Sequence, residues 1–405
     1  MKCKYFLFLI FAINCVNAAE VTTFVSPDCS FESLEKFISD TSSSLYIATY
    51  EFTNPCILDL LNEKNISDLK VLIESSPVGG MPLEEKKILC NLEKNGKKIY
   101  LYKKEGRKYH HAKYMIRDNS SILIASENFG CTGFSKNPTY GNRGFGAIVK
   151  DEQLTKDFLR IFFTDLKNAE KFKCDLMNYE ISCNPINGEY KPIFRPEKFY
   201  NQSVYSIFAP DATSEILNLI NSSNKSIYIE LFYIYKYWGS KKKGSINETP
   251  NLFLERVINK SRKKINVKIL LDSYFYNIDK SNPVSNYNTV KYINKIAKEE
   301  NLSLEAKLIN LNKFGFEKLH NKGVIIDNKT VLISSINWNE HSPKNNREAC
   351  IVITGEAAKY YAKVFSYDWS GKHTKNISNI PFQKTIIIIT VLLLISLILI
   401  YFKTK

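Results

Sequence analysis

A chain of 405 residues, 44% apolar and 24% charged, has the material for a large buried core and room for two domains, which excludes a wholly disordered chain. Its net charge of +15 suits polyanionic partners, lipid headgroups and nucleic acid alike, so charge alone does not choose a substrate. Nine cysteines without a CxxC pair give no zinc pattern.

At the amino terminus, Lys2 and Lys4 precede an apolar run from Tyr5 to Ile13, and Val16-Asn17-Ala18 offers small residues for cleavage after Ala18 or Ala19. This predicts a secretory signal peptide over residues 1–19, its apolar run being too short to span a bilayer comfortably. Next, Val25-Ser-Pro-Asp28 closes a first strand and opens a helix, and the run from Ser44 (SLYIATYEF) reads as a second strand. The pattern returns as Phe208-Ala-Pro-Asp211 followed by the run from Ser226 (SIYIELFYI), and Lys70-VLIE is matched by Lys268-ILLD. Strands alternating with helices in both halves predict an α/β architecture: two similar lobes face to face, each a mixed β-sheet flanked by helices.

The offset between matched positions grows from Asp28/Asp211 to His111/His320, so the second lobe carries insertions, assigned to Gly239–Pro250 and the region after Tyr274. The expected segments are lobe 1 over 20–175, a linker over 176–200 containing Pro185, Pro192 and Pro196, and lobe 2 over 201–372. A stalk over 373–384, a transmembrane helix over 385–402 and a tail over 403–405 follow. The run from Thr385 to Phe402 has no charge and is long enough to cross a bilayer, with Lys384, Lys403 and Lys405 flanking it. The ends together predict a single-pass cell-membrane protein with extracytoplasmic lobes.

Outside the leader, seven cysteines remain, so at least one is unpaired or bonded to another chain. Cys174 and Cys183 are near enough in sequence to staple the linker, with the connectivity left open. Lys241-Lys242-Lys243 and Arg262-Lys263-Lys264 read as a solvated loop and a helix end. Asn-x-Ser/Thr tripeptides are numerous, for example at Asn65, Asn201, Asn221 and Asn376, and receive no function at this level.

The chemistry is carried by a duplicated element. His111-Ala-Lys113 is followed by Asp118, Ser126 and Asn128; His320-Asn-Lys322 is followed by Asp327, Ser335 and Asn337 at the same spacing. On strands predicted over Tyr109–Arg117 and Leu319–Ile326, residues two apart share a face, so each histidine and its lysine project together. Asparagines arrive from strands predicted over Ile122–Asn128 and Val331–Asn337. Lysine offsets oxyanion charge, asparagine donates to non-bridging oxygens, and imidazole does covalent or proton chemistry. Two such halves facing each other put two imidazoles about one phosphorus.

In this paired His-x-Lys-x4-Asp motif the chain resembles the phospholipase D superfamily over roughly residues 21–370. The surrounding wording (ASENFG with GNRGFG; LHNKGVIIDNKTVLISSINWNE with NNRE) is similar to secreted or membrane-attached archaeal-type members. The resemblance implies an active site at the lobe interface, built by His111, Lys113, Asp118, Asn128, His320, Lys322, Asp327, Asn337 and Glu348, with Ser126 and Ser335 in support. It implies His111 as nucleophile, His320 as acid/base, and neither cofactor nor metal. The family's Asn-x-Glu appears as Asn346-Arg-Glu348 but as Asn142-Arg-Gly144 in the first half, so one histidine is expected to lack a carboxylate partner. Asp118 and Asp327 also read as residues that hold loops together, and Glu127 and Glu340 as solvated loop carboxylates.

The expected activity is cleavage or transfer of phospholipid phosphodiester bonds through a phosphohistidine. The alternative is an extracytoplasmic nuclease using the same histidines on DNA or RNA, and a third reading is a non-catalytic surface binding protein. The substrate partner is membrane phospholipid, with nucleic acid as the alternative; two lobes of one chain suffice, so no oligomer is required.

Overall fold

Both halves place short β-branched and apolar runs next to amphipathic helices, and each run becomes a strand of one sheet. The computed structural model describes residues 18–103, 106, 108–239 and 244–371. Residues 1–17 of the signal peptide expected over 1–19, the lysine run 241–243, the expected stalk and the Thr385–Phe402 run lie outside the described residues, whereas Ala19, the last residue of that expected leader, already pairs with Gln202 as the first residue of a strand. Among the described residues, those up to Phe365 form one compact unit.

The first half runs β1 (Ala19–Ser26), α1 (Ser30–Ser39), β2 (Ser44–Thr49), α2 (Pro55–Lys64), β3 (Asp68–Glu74), α3 (Leu83–Lys94), β4 (Lys98–Tyr102), β5 (Tyr114–Arg117), β6 (Ser121–Ala125), β7 (Gly144–Lys150), α4 (Glu152–Lys167) and β8 (Glu170–Lys171). The second runs β9 (Glu197–Ala209), α5 (Thr213–Asn221), β10 (Ser226–Leu231), α6 (Leu252–Arg262), β11 (Asn266–Leu271), α7 (Asn286–Glu299), β12 (Leu304–Leu308), α8 (Leu311–Phe314), β13 (Lys322–Ile326), β14 (Thr330–Ser334), α9 (His341–Asn345), β15 (Glu348–Thr354) and α10 (Ala357–Ser370).

Strand order repeats. The first half reads β4-β3-β2-β5-β6-β7-β1 and the second β12-β11-β10-β13-β14-β15-β9. Within each, three strands are parallel and the rest antiparallel. Antiparallel pairing of β1 with β9 joins the halves into one continuous sheet of 15 strands, so the two expected sheets are one. Each half buries its own apolar cluster, Leu34, Phe37, Ile47, Leu58 and Ile88 in the first and Ile216, Ile229, Phe253, Val257 and Ile293 in the second.

The linker is held by lobe 1. Cys174 and Cys183 do not pair with each other; Cys174 bonds Cys90 on α3 and Cys183 bonds Cys56 on α2. Buried Asp28 gathers the rest, accepting from Arg143 (2.6 Å), Tyr190 and the backbone of Ile193 and Phe194. Cys29, Cys131 and Cys350 are free thiols.

Candidate active site

The motif strands start later than expected: β5 at Tyr114 and β13 at Lys322, so His111 and His320 stand on extended segments just before them. Each segment pairs with the opposite lobe. The backbone N–H of His111 donates to Arg347 (2.7 Å), and that of His320 to Arg143 (2.9 Å). Each histidine is therefore placed by the other half's strand entry, which brings the two motifs to one interface.

The side chains cross in the same way. His111 Nδ1 lies 2.8 Å from Glu348 of lobe 2, and His320 Nδ1 lies 3.2 Å from Glu127 of lobe 1. A carboxylate accepts, so the pairing holds a proton on Nδ1 and leaves Nε2 with its lone pair for chemistry. Both carboxylates are almost wholly buried and each receives an asparagine amide: Asn346 Nδ2 donates to Glu348 (2.9 Å) and Asn142 Nδ2 to Glu127 (3.0 Å). Ser342 also donates to Glu348.

The expectation that one histidine lacks a carboxylate is overturned. Gly144 stands where Glu348 stands in the second half, and the carboxylate arrives instead from Glu127, in the turn after β6. Glu127 is thus no solvated loop residue. The signal for it lay in the sequence as Glu127 within ASENFG beside the absent side chain at 144, but only the fold shows that the two meet. Glu340 fits its reading better, pairing with Lys344 at 3.0 Å and accepting from the backbone of Gly239.

Lys113 and Lys322 are buried beside their histidines; Lys322 Nζ donates to the carbonyl of His320 (2.7 Å), and Lys113 to that of His111. An aromatic ring backs each pair. Tyr50 lies 4.9 Å from the His111 ring and Phe232 4.7 Å from the His320 ring, both edge-on, and each lysine Nζ is 5.3 Å from the same aromatic ring. Tyr50 follows β2 and Phe232 follows β10, so the pocket sits at the carboxyl ends of equivalent strands.

Burial sets the protonation states. It lowers both histidines to about 4, against the opposing pull of Glu348 on His111 and of Glu127 on His320. Burial lowers Lys113 to about 7 despite Glu348, Glu51 and Glu127, and lowers Lys322 well below the usual ammonium range. Burial alone would raise Glu348 and Glu127, but the adjacent imidazoles and lysines outweigh it and hold both below the ordinary carboxylate value.

Asp118 and Asp327 do not join this cluster. They sit in the left-handed turns after β5 and β13, and their carboxylates accept from backbone N–H groups of Ser42–Ser44 and of Asn224–Ser226. Each ties the start of a strand to a turn at the end opposite the histidines, the loop-holding role the sequence also allowed. Ser126 and Ser335 accept from the backbone of Phe145 and Ala349, locking the turns that carry the asparagines to β7 and β15. Asn128 donates to Glu51 (2.9 Å), a residue the sequence reading missed. Asn337 lines a cavity of about 330 Å³ with His111, Tyr50, Tyr109, Tyr233 and Tyr235.

A family model described as cardiolipin synthase, PLD-like domain, matches residues 34–166 and again 216–369. Among solved structures, phosphatidylserine synthase from Haemophilus influenzae shares the fold, with a TM-score of 0.62, 13% identity, and 85% of this chain and 84% of that chain covered. Nuc from Salmonella typhimurium, titled a phospholipase D family member, matches 38% of this chain and 99% of its own at 19% identity and a TM-score of 0.34. NucT from Helicobacter pylori matches the same shares at 19% identity and 0.32. No curated protein matches the sequence.

Proposed function

The chain belongs to the phospholipase D superfamily, and from that membership we propose that it cleaves or transfers phosphodiester bonds of membrane phospholipids through a phosphohistidine. The observation that carries the reading is the crossed pair of contacts, His111 to Glu348 and His320 to Glu127, which makes each imidazole depend on the opposite lobe.

His111 Nε2 attacks phosphorus while protonated His320 delivers its proton to the leaving alcohol; the P–O bond breaks as P–N forms. Neutral His320 then takes a proton from water or an acceptor alcohol, whose oxygen displaces His111. Glu348 and Glu127 hold the tautomers and stabilise whichever ring is charged. Lys113 and Lys322 offset the phosphoryl charge in a site largely closed to water.

Phospholipid is favoured over nucleic acid by the uncharged run Thr385–Phe402, which would hold the lobes beside a bilayer. Among the described residues no helix is long and apolar enough to cross a membrane. Extracytoplasmic placement is supported by the Cys56–Cys183 and Cys90–Cys174 bonds, which persist in oxidising compartments.

The test is to give the detergent-solubilised full chain headgroup-labelled phospholipid vesicles and labelled oligonucleotides side by side. Headgroup release, with an acid-labile phosphoryl adduct mapped to His111, is expected; oligonucleotide cleavage without headgroup release would transfer the reading to a nuclease. His111→Asn and His320→Asn should each lose about 10²- to 10⁴-fold in rate.

A further inference from the structure

We propose that this chain is an N-glycoprotein whose glycans crowd the end of the sheet remote from the active site. Nine Asn-x-Ser/Thr tripeptides with no proline between fall within the described residues, at Asn65, Asn119, Asn201, Asn221, Asn224, Asn247, Asn259, Asn301 and Asn328. All nine asparagines are exposed, whereas only ten of the other 26 described asparagines are. Five of the nine, Asn65, Asn119, Asn201, Asn301 and Asn328, occupy left-handed backbone positions that favour asparagine at a surface, and in the other four, too, exposure goes with the tripeptide. It is what acceptor sites require, since a bulky glycan cannot be buried.

Strand direction supplies the second observation. Tyr50 and Phe232, the aromatic neighbours of the two histidines, follow the carboxyl ends of β2 and β10. Asn65 precedes β3, Asn221 and Asn224 precede β10, Asn259 is in the last turn of α6 before β11, and Asn301 precedes β12, all at the amino ends of parallel strands. Asn119 and Asn328 occupy the equivalent turns after β5 and β13, whose last residues pair with the starts of β2 and β10. On β9, Ala209 pairs with Glu348 at the site end while Ser203 pairs with Thr354 at the other, which puts Asn201 beyond Thr354. Eight of the nine thus lie away from the histidines; Asn247 alone belongs to the segment after cleft-lining Gly239. A glycan coat so placed leaves the cleft open to a large substrate or a bilayer.

The co-reactant is a polyprenyl-phosphate-linked oligosaccharide. The side-chain nitrogen attacks the anomeric carbon, a C–N bond forms as the anomeric C–O bond breaks, the lipid phosphate departs, and the amide proton passes to a base of the transferase. Ser121, Ser223, Ser226 and Ser261 are buried after folding, so those tripeptides are read while the chain emerges.

The inference rests on the extracytoplasmic reading, and the test separates the two. The full chain is isolated from membranes of its own source and its tryptic peptides are weighed, while protease added outside intact cells reports which side the lobes occupy. Glycan-bearing peptides spanning several of the nine sites are expected. Ser203→Ala and Ser303→Ala, which leave the left-handed backbones of Asn201 and Asn301 untouched, should each lose the mass of one glycan and keep diester hydrolysis unchanged. Protease-accessible chain with every such peptide at its bare mass would overturn the glycan proposal alone; protease-shielded lobes would overturn the export reading and the proposal with it.

Discussion

Gly144 and Glu127 share one space: a Cβ on Gly144 would stand 2.3 Å from Oε1 of Glu127. The missing side chain is therefore the condition for the carboxylate that reaches His320. The two halves keep the same histidine–carboxylate–asparagine chemistry with the carboxylate supplied from different positions, β15 in one and the turn after β6 in the other.

Gly144→Ala should displace Glu127 and lower kcat on a soluble diester about 10- to 100-fold, and Glu127→Gln should do the same. Because both act through His320, the double variant should lose little more than either single one. Additive losses, measured with thermal midpoints held near wild type, would separate the two residues.

On the alkaline side kcat/KM should already decline above about pH 4, as His320 loses the proton it donates, and should steepen through about pH 7, where Lys113 discharges in the free enzyme. The sign follows from its role: protonated lysine attracts the diester below that pH and ceases to above it. A bound diester anion stabilises the ammonium, so the corresponding limb of kcat should lie at higher pH. An unchanged slope of kcat/KM from pH 6 to 9 would remove Lys113 from this role.

His110, fully buried beside the site, should make the fold acid-sensitive. Burial lowers it to about 4 from about 6.5, so the unfolded chain binds the proton first as pH falls. Its contribution is present above about 6.5 and is lost as pH falls through about 4, on the order of 3 kcal/mol. Urea midpoints should decline across that window, and His110→Phe should decline less steeply.

Asp118→Ala and Asp327→Ala should reduce stability by about 1–3 kcal/mol, since each leaves backbone donors at a strand start without their acceptor. Their kcat values at a temperature where the variants stay folded should remain within a few-fold of wild type. A loss as large as that of His320→Asn would return these aspartates to the chemistry.

Replacing Cys90 by alanine should cost about 2–5 kcal/mol, because its bond to Cys174 closes a span of 84 residues and holds the linker to lobe 1. Denaturant unfolding under non-reducing conditions reads this directly.

Much was legible without coordinates. The duplicated His-x-Lys-x4-Asp spacing, the echo of Lys70-VLIE in Lys268-ILLD and the Pro-Asp helix starts determined two equivalent α/β halves and named the histidines and lysines, because strand and helix periods are local properties written in neighbouring residues. What tertiary structure alone decided is which groups from distant parts of the chain meet. Glu127 finds His320 across 193 residues, Cys174 finds Cys90 rather than Cys183, and the Asp118 carboxylate faces Ser42–Ser44 instead of phosphate. Such pairings depend on how strands from two lobes align, and on space left by an absent side chain at Gly144, neither of which any local pattern encodes.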